Sequence, residues 1–375
     1  MANPPKKATA GNRTKALFPT PPPRVIKHPS PTGSPDNAKG RSSSRASSHA
    51  KPLLPDRTDA RADSSLPSCA VPPALAPYLR IGTCSWKYPS WKGLIYDEGK
   101  AYRPDDYLAD YSKRLNSVEV DQWFWSLFPG SVRLPEPHVV RLFAQSVPDD
   151  FIFTVKAPNA LTLTHFYSKA ARGTTAAAVA GKTNEHFLSQ TLLETFLERL
   201  APFGRKLGPI MFQFEYLNRQ KMPSVAAFIE QFDAFITRAP KGFQYAIETR
   251  NPNYLSPTFF EFLARRGLGF VYLDGYYMPP IGQVFEKKRA QTASAGFEVL
   301  RLHGGDRLEI EKKTGDVWDR VIAPKPEGLR AAARIVRANV RKKVLTFVNV
   351  NNHYEGSAPM TIGRLLEALR EKDED

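Results

Sequence analysis

The most constraining feature of this sequence is that short apolar runs alternate with helical patterns between residues 80 and 370. Eight such runs are present: Arg80–Cys84, Ser117–Val120, Phe151–Lys156, Gly208–Gln213, Gln244–Glu248, Gly269–Leu273, Glu298–His303 and Val344–Asn349. Runs of this length, rich in β-branched and aromatic residues, are typical of strands buried on both faces. Because parallel strands joined by helices build α/β folds, the sequence predicts an α/β protein with a single (β/α)8 TIM-type barrel.

The connections between the runs carry helix signals. The clearest helix begins at Ser256 as N-cap, has Pro257 at its first position and ends at Gly267. A second is predicted to be capped by Asn184, with Leu188, Leu192, Phe196 and Leu200 as its apolar stripe. The remaining predicted helices cover Asp105–Leu115, a stretch from Pro137, Val225–Ile236, Glu327–Arg341 and Pro359–Arg370. The polar stretch 274–297 shows no helical pattern. An open doubly wound sheet is the rival architecture, but residues 82–86 lack its Gly-rich dinucleotide turn.

The first 75 residues differ in composition from the rest. They hold 14 of the 33 prolines, and their 12 Lys and Arg against four Asp carry half of the net charge of +16. Phe18 is their one aromatic residue. Because such a segment buries too little apolar area to offset its ordering entropy, we predict a disordered basic tail over 1–75 and the barrel domain over 76–375.

Several protein classes are excluded by simple counts. No run of 18 apolar residues exists, so the sequence predicts no membrane span. The basic N-terminus lacks the apolar segment of a secretory signal, and prolines interrupt any amphipathic transit helix. The two cysteines, Cys69 and Cys84, form neither a disulfide framework nor a zinc cluster, which fits a reducing compartment. The expected location is therefore the cytoplasm.

Most of the eight runs end in a polar or charged residue. In a barrel the carboxyl ends of the strands meet at one mouth, where catalytic groups lie. Four side chains there have acid/base chemistry and are predicted to be catalytic: Glu119, Lys156, Glu248 and His303. Burial of Lys156 would make it a base or a Schiff-base amine. A lysine in this position is more often a counter-ion for a nearby carboxylate, and it could also bind an anion. The alternative for Glu119 and Glu248 is a structural salt bridge. The alternative for His303 is a hydrogen-bonded structural role.

Further side chains near the strand ends are candidate ligand contacts. They are Trp86, Tyr88, Gln213, Arg250, Arg301, Asn351 and Asn352. The tryptophan and tyrosine form either a stacking wall or a lid over the barrel end, and the asparagines either bind a ligand or build a loop. Glu119, Asp121, Glu248 and His303 could surround a metal ion, but no recognised ligand spacing supports this, so no metal site is predicted. Cys84 is interpreted as a small buried residue.

At the same strand ends the sequence resembles the DUF72 family of uncharacterised TIM-barrel proteins. The resemblance covers about residues 80–368 and rests on seven segments in order: Ile81–Tyr88 with Trp91, Gly93 and Tyr96; Val118-Glu119 with Phe124; Val155-Lys156-Ala157 with Thr164-His165; Gly208-Pro209 with Phe212-Gln213; Ala246-Ile247-Glu248 with Arg250 and Pro252; Arg301–Gly304; and Asn351-Asn352 with Gly356, Ala358 and Pro359. The resemblance implies the barrel and adds His165 to the candidate ligand contacts. It implies no reaction or cofactor, and Asp121, Trp125 and Phe214–Tyr216 depart from the family pattern.

These observations favour an enzyme that performs acid/base chemistry, of hydrolase, lyase or isomerase type, on a small anionic or polyhydroxylated molecule. The mouth would supply carboxylates and an imidazole for proton transfer and cations for phosphate or carboxylate groups. Two alternatives remain open. The basic tail and charged surface would suit a protein that binds or processes nucleic acid. A ligand-binding protein without catalysis would need the same pocket. The cofactor is not predicted.

Overall fold

Eight parallel strands form the frame of the protein. In the computed structural model, which describes residue 69 and residues 71–167, 175–289 and 295–371, these strands are β1 (Leu79–Thr83), β2 (Ser117–Val120), β5 (Ile152–Lys156), β6 (Leu207–Gln213), β7 (Tyr245–Glu248), β8 (Gly269–Gly275), β9 (Phe297–Gly304) and β10 (Leu345–Val350). Their order in the sheet is β1-β10-β9-β8-β7-β6-β5-β2, with all neighbours parallel. The predicted eight-stranded barrel is confirmed, and every predicted run lies within about two residues of its strand.

The barrel is nearly closed by the approach of β1 to β2. A parallel bridge joins Cys84 to Glu119, just beyond the end of β1. Gly82 makes this approach possible, because a Cβ placed on it would lie 1.8 Å from the backbone oxygen of Ser117. The absence of a side chain at one position therefore allows the two edge strands to meet.

Helices cover the outside of the barrel. They are α1 (Asp106–Tyr111), α2 (Pro137–Gln145), α3 (Asn159–Thr162), α4 (Thr175–Val179), α5 (Gln190–Leu200), α6 (Val225–Arg238), α7 (Pro257–Arg266), α8 (Ile281–Arg289), α9 (Arg307–Thr314), α10 (Pro326–Arg341) and α11 (Ala358–Arg370). A short antiparallel pair, β3 (Leu127–Phe128) and β4 (Ser131–Val132), follows β2. In α7 the predicted signals are confirmed: Ser256 accepts a hydrogen bond from the Phe259 amide, and Gly267 is left-handed with φ 63°.

Two helix predictions are wrong. The cap of α5 is Ser189, whose hydroxyl accepts from the Leu192 amide, whereas Asn184 donates to the carbonyls of Ala160 in α3 and of Leu163 just after it. Leu188 has φ 53° and therefore lies outside the helix. The stretch 274–297 does contain a helix, α8, whose apolar stripe is interrupted by a buried lysine.

That lysine, Lys288, is buried because it pairs with a buried carboxylate at the start of β9. Its Nζ lies 2.6 Å from Oε1 of Glu298, and Oε2 of the same carboxylate accepts a hydrogen bond from Asn339 of α10. A charge at a core position is tolerated where a partner neutralises it. The sequence of α8 therefore shows the periodicity of a helix only when Lys288 is counted among the inward-facing residues.

The predicted disordered tail falls almost entirely on residues outside those described. Of its described residues, Cys69 is buried, and Val71 and Leu75 pack against the barrel core. Residues Leu66–Asp375 form one compact unit, and the domain boundary at residue 76 stays a prediction. No helix in the described parts of the chain has the length and apolar character needed to cross a membrane.

Candidate active site

Arg301 of β9 occupies the inside of the barrel near its mouth. Its Nη2 and Nε donate to the two carboxylate oxygens of Glu119 at 2.6 and 2.8 Å, in a bidentate pair. Its Nη1 donates to Glu248 of β7 and, at 3.3 Å, to Oε1 of Gln213 of β6. All three charged side chains are almost fully buried. One guanidinium thus links three strand ends, because a planar fork with five donors can serve several acceptors at once.

A second arginine extends this group toward solvent. Nε of Arg250 lies 3.3 Å from Oε1 of Glu248, and its guanidinium lies 3.9 Å from the ring centre of Tyr276. Arg250 retains 19% of its side-chain exposure, whereas Glu248 has none. Burial disfavours the charged carboxylate, but the two arginines outweigh it and hold the pKa of Glu248 below its usual range. We call Glu119, Gln213, Glu248, Arg250 and Arg301 the Arg301 cluster.

Lys156 ends β5 at the same mouth and has a different environment. Its Nζ lies 3.7 Å from the ring centre of Phe124, and its side chain is 8% exposed. Among the described residues, no carboxylate lies within ion-pair distance of this ammonium. Burial, together with the charge of Arg301, lowers the pKa of Lys156 to about 8. The strand end therefore presents an amine that exchanges its proton near neutral pH.

His303 of β9 lies beside Cys84, which follows β1. Its Nε2 is 3.7 Å from the Cys84 sulfur, and its Nδ1 is 3.3 Å from the Tyr276 hydroxyl. The Cys84 thiol in turn lies 3.5 Å from Oε2 of Glu119. Burial and the charges of Arg301 and Arg250 lower the pKa of His303 well below its usual value. The imidazole is therefore neutral and has a free lone pair on one nitrogen.

The other predicted contacts divide between the mouth and the loops. Gln213 belongs to the Arg301 cluster, as described. Asn351 accepts a hydrogen bond from the His353 amide at 2.9 Å, and Asn352 accepts one from Ala358 at the start of α11. Both asparagines thus shape the turn after β10. His165 is half-buried, with its Nδ1 2.9 Å from the Thr164 hydroxyl, and within the described chain it makes no hydrogen bond to the Arg301 cluster.

The aromatic residues after β1 pack against other aromatic side chains. Trp86 is 2% exposed and contacts Phe143 edge to face, with ring centres 5.0 Å apart. Tyr88 lies against Trp91 at 4.6 Å, and burial raises the pKa of the Tyr88 phenol. This packing favours the lid interpretation over the stacking wall. Among the aromatic residues that follow β1 and β2, Phe124 contacts a charged group of the mouth, Lys156.

Two residues of the site were not identified from the sequence. Cys84 is separated from His303 by 219 residues, so no local spacing predicts their contact. Tyr276 lies in the stretch 274–297, in the left-handed region with φ 51°, next to Gly275 with φ 140°. The Tyr276 ring contacts both Arg250 and His303.

Two surface cavities, of about 1020 and 340 Å³, lie away from these residues. The first is lined by residues between 137 and 206, and the second by residues between 272 and 344 that do not belong to the Arg301 cluster.

The model of a protein family described as "Protein of unknown function DUF72" matches residues 80–375. The chain belongs to the DUF72 family. The earlier resemblance is thereby confirmed over nearly all of the barrel, including every strand end described above.

Relatives and solved structures of this family agree with the fold. The UPF0759 protein YecE of Escherichia coli K12 is 22% identical over 260 residues, which cover 65% of this chain and 80% of that protein. A DUF72 family protein of Thermotoga maritima superposes with a TM-score of 0.52 at 21% identity, covering 78% of this chain and all of that one. One from Enterococcus faecalis gives 0.50 at 17% identity, covering 79% and 97%. Similarity at this level shows the barrel and does not extend to a reaction.

Proposed function

We propose that the mouth of this barrel is an active site in which Lys156 carries a proton to or from a small anionic or polyhydroxylated molecule. The observation that carries the proposal is the buried Lys156 ammonium, which has no ion pair among the described residues. Burying a charge without a partner is costly, so such a group is retained where it has a use. Its pKa of about 8 suits proton transfer near neutral pH.

The two carboxylates have a supporting part in this proposal. Both Glu119 and Glu248 form ion pairs with Arg301. A carboxylate in a tight ion pair is a weak base, because removing its charge would break the pair. We therefore assign to Glu119 and Glu248 the positioning of Arg301, and to Lys156 and His303 the movement of protons.

The anionic part of the substrate is assigned to Arg250. This side chain keeps partial exposure, and its contact with Glu248 is long at 3.3 Å. A guanidinium with unused donors can bind a carboxylate or phosphate in a bidentate manner. The Arg250 guanidinium lies against the ring of Tyr276. The tyrosine ring would therefore have to move, or contact the ligand, when an anion binds to Arg250.

The test is native mass spectrometry of the protein purified from its own host, compared with Lys156→Met. Methionine keeps the length of the side chain and removes the ammonium. We expect a bound small molecule in the wild type and its loss in Lys156→Met, with retention in the control Lys241→Met, whose lysine caps the surface helix α6 by donating to the Thr237 carbonyl. A ligand that stays bound in Lys156→Met, or a wild type without ligand, would contradict the proposal.

A second candidate function, nucleic-acid binding, is favoured by exposed aromatic residues near the mouth. Tyr277, after β8, is 80% exposed, and Tyr216, after β6, is 61% exposed. Bases stack on such rings, and the net charge of +16 would attract phosphates. Fluorescence anisotropy with a labelled single-stranded oligonucleotide distinguishes the two functions. Binding that falls steeply with salt and weakens in Tyr216→Ala/Tyr277→Ala would support the nucleic-acid function.

A further inference from the structure

We propose that Cys84, Glu119 and His303 form a binding site for a divalent transition metal ion, with Zn²⁺ the best match to the donor set. The proposal goes beyond the proton-transfer function and does not depend on it. With the ion bound, both nitrogens of His303 would be engaged, so Lys156 alone would move the proton. The Cys84 sulfur, a Glu119 oxygen and a His303 nitrogen all lie within 4.8 Å of one another, and the three side chains are buried. Sulfur, imidazole nitrogen and carboxylate oxygen are the three donor types that zinc uses in proteins.

The distances fit a tetrahedral ion. With a Zn–S bond of about 2.3 Å and a Zn–N or Zn–O bond of about 2.0 Å, tetrahedral angles place the sulfur about 3.5 Å from either partner atom. The observed separations from the Cys84 sulfur are 3.7 Å to Nε2 of His303 and 3.5 Å to Oε2 of Glu119. Two edges of the donor triangle therefore match without movement of the backbone.

The charges of the three donors also suit a divalent cation. Zn²⁺ binding would displace the Cys84 thiol proton to solvent, so the ion would be held by two anionic ligands, the Cys84 thiolate and the Glu119 carboxylate, and by the neutral imidazole of His303. The ion and its three ligands together are then neutral. Glu248 compensates part of the positive charge of the neighbouring Arg301 and Arg250.

Neighbouring residues are placed to orient the ligands. The Tyr276 hydroxyl lies 3.3 Å from Nδ1 of His303, so Nε2 is the nitrogen left for the metal. Arg301 holds both oxygens of Glu119, and each carboxylate oxygen has a second lone pair that can still bind an ion. Three protein ligands leave a fourth position open, which is the pattern of catalytic zinc sites.

The experiment uses the full-length protein freed of metal with a chelator and then titrated with ZnCl₂ or CoCl₂. We expect one Zn²⁺ per chain by elemental analysis after gel filtration, and a near-ultraviolet thiolate-to-cobalt charge-transfer band with Co²⁺. Cys84→Ser should abolish the band and weaken zinc binding by more than the roughly 10- to 100-fold that the loss of an outer-shell partner causes. Cys69→Ser is the matched control, because Cys69 is the chain's other buried cysteine and lies outside the barrel mouth.

The possible results separate clearly. Fewer than one zinc per chain, a cobalt spectrum without the thiolate band, or a band that disappears in Cys69→Ser would each overturn the proposal. Circular dichroism checks that Cys84→Ser folds. Zinc-edge X-ray absorption of the wild type provides an independent measurement, in which one sulfur and one imidazole in the first shell are expected and a shell of oxygens only would refute the site.

Discussion

Replacement of Arg301 by methionine tests the central interaction of the barrel. The variant keeps a long apolar side chain but leaves Glu119 and Glu248, both with no exposed side-chain surface, without the cation that binds them. Removal of one partner from a buried ion pair costs about 3–5 kcal/mol. For a unit of about 300 residues, with an unfolding entropy of about 2.1 cal/mol/K per residue, this lowers the melting temperature by about 5–8 °C.

The pH dependence identifies the cause of that loss. The pKa of Glu248 is depressed in the folded wild type, so its contribution to stability is present above the unfolded value, about 4.3, and is lost as the pH falls through the folded pKa. In Arg301→Met burial acts on Glu248 without this guanidinium, and its pKa rises. The difference in melting temperature between the two proteins should therefore be full at pH 7 and shrink toward pH 4.

Thermal unfolding followed by circular dichroism at pH 7 and at pH 4.5 measures both effects. Arg266→Ala serves as the control, because its pair with Asp233 lies at the surface and is worth at most about 1 kcal/mol. Adding Glu119→Gln and Glu248→Gln to Arg301→Met should restore at least half of the loss, since neither buried carboxylate keeps its charge and Arg250, which loses Glu248 as a partner, is partly exposed to solvent. A decrease no larger than that of Arg266→Ala would refute the reasoning.

Three further predictions concern single residues. The native pKa of Lys156, about 8, lies below its unfolded value, so the unfolded state binds more protons between about pH 8 and 10.5 and the stability of the protein rises over that window. Lys156→Met should remove this rise and stabilise the protein at pH 7 by about 3 kcal/mol. An unchanged midpoint of urea unfolding at pH 7 would argue against it. Tyr276→Ala should open the mouth and speed the reaction of Cys84 with methyl methanethiosulfonate in the presence of a chelator, as measured by mass spectrometry, and an equal rate would show that the ring is no barrier. Gly82→Ala should prevent β1 from approaching β2 and should abolish soluble expression. Gly99→Ala is the control and should express normally, because no atom lies within 4 Å of the added carbon. A soluble, folded Gly82→Ala protein would contradict the steric argument.

The strands could be predicted from the sequence because their signal is local. Ser117–Val120 was placed at its observed bounds, and the others were displaced by about two residues or fewer at their ends. A strand buried on both faces is a continuous apolar run, so neither its partners nor its register need be known. The cap of α7 was predicted for a similar reason, because Ser256-Pro257 and Gly267 act on their own backbone.

The errors arose where a tertiary contact changed the meaning of a local signal. Lys288 appeared to belong to a polar stretch because its partner Glu298 lies on another element. Asn184 has the chemistry of a helix cap, but its side chain donates to two carbonyls at the C-terminal end of α3. Neither contact can be deduced from the residues on each side of the position.

For the candidate site, the sequence predicts which residues lie at the mouth better than it predicts how their side chains contact one another. Polar strand ends indicated that Glu119, Glu248 and Arg301 belong to one mouth, and the structure brings them into direct contact. That Lys156 lacks a carboxylate partner among the described residues, and that Cys84 meets His303, depends on side-chain directions across the barrel. Those directions follow from the register of all eight strands together.

The ion pairs of Arg301 also have a consequence for folding. The arginine is separated from Glu119 by 182 residues and from Glu248 by 53, and in the sheet β9 neighbours neither β2 nor β7. Such distant pairings carry a large loop-closure cost and form late in folding. A chain truncated before β9, or emerging from the ribosome before residue 301, holds Glu119 without the guanidinium that binds both of its oxygens, and Glu248 with Arg250 but without Arg301. The assembly of the charged groups at the mouth and the completion of the barrel should therefore be one kinetic event.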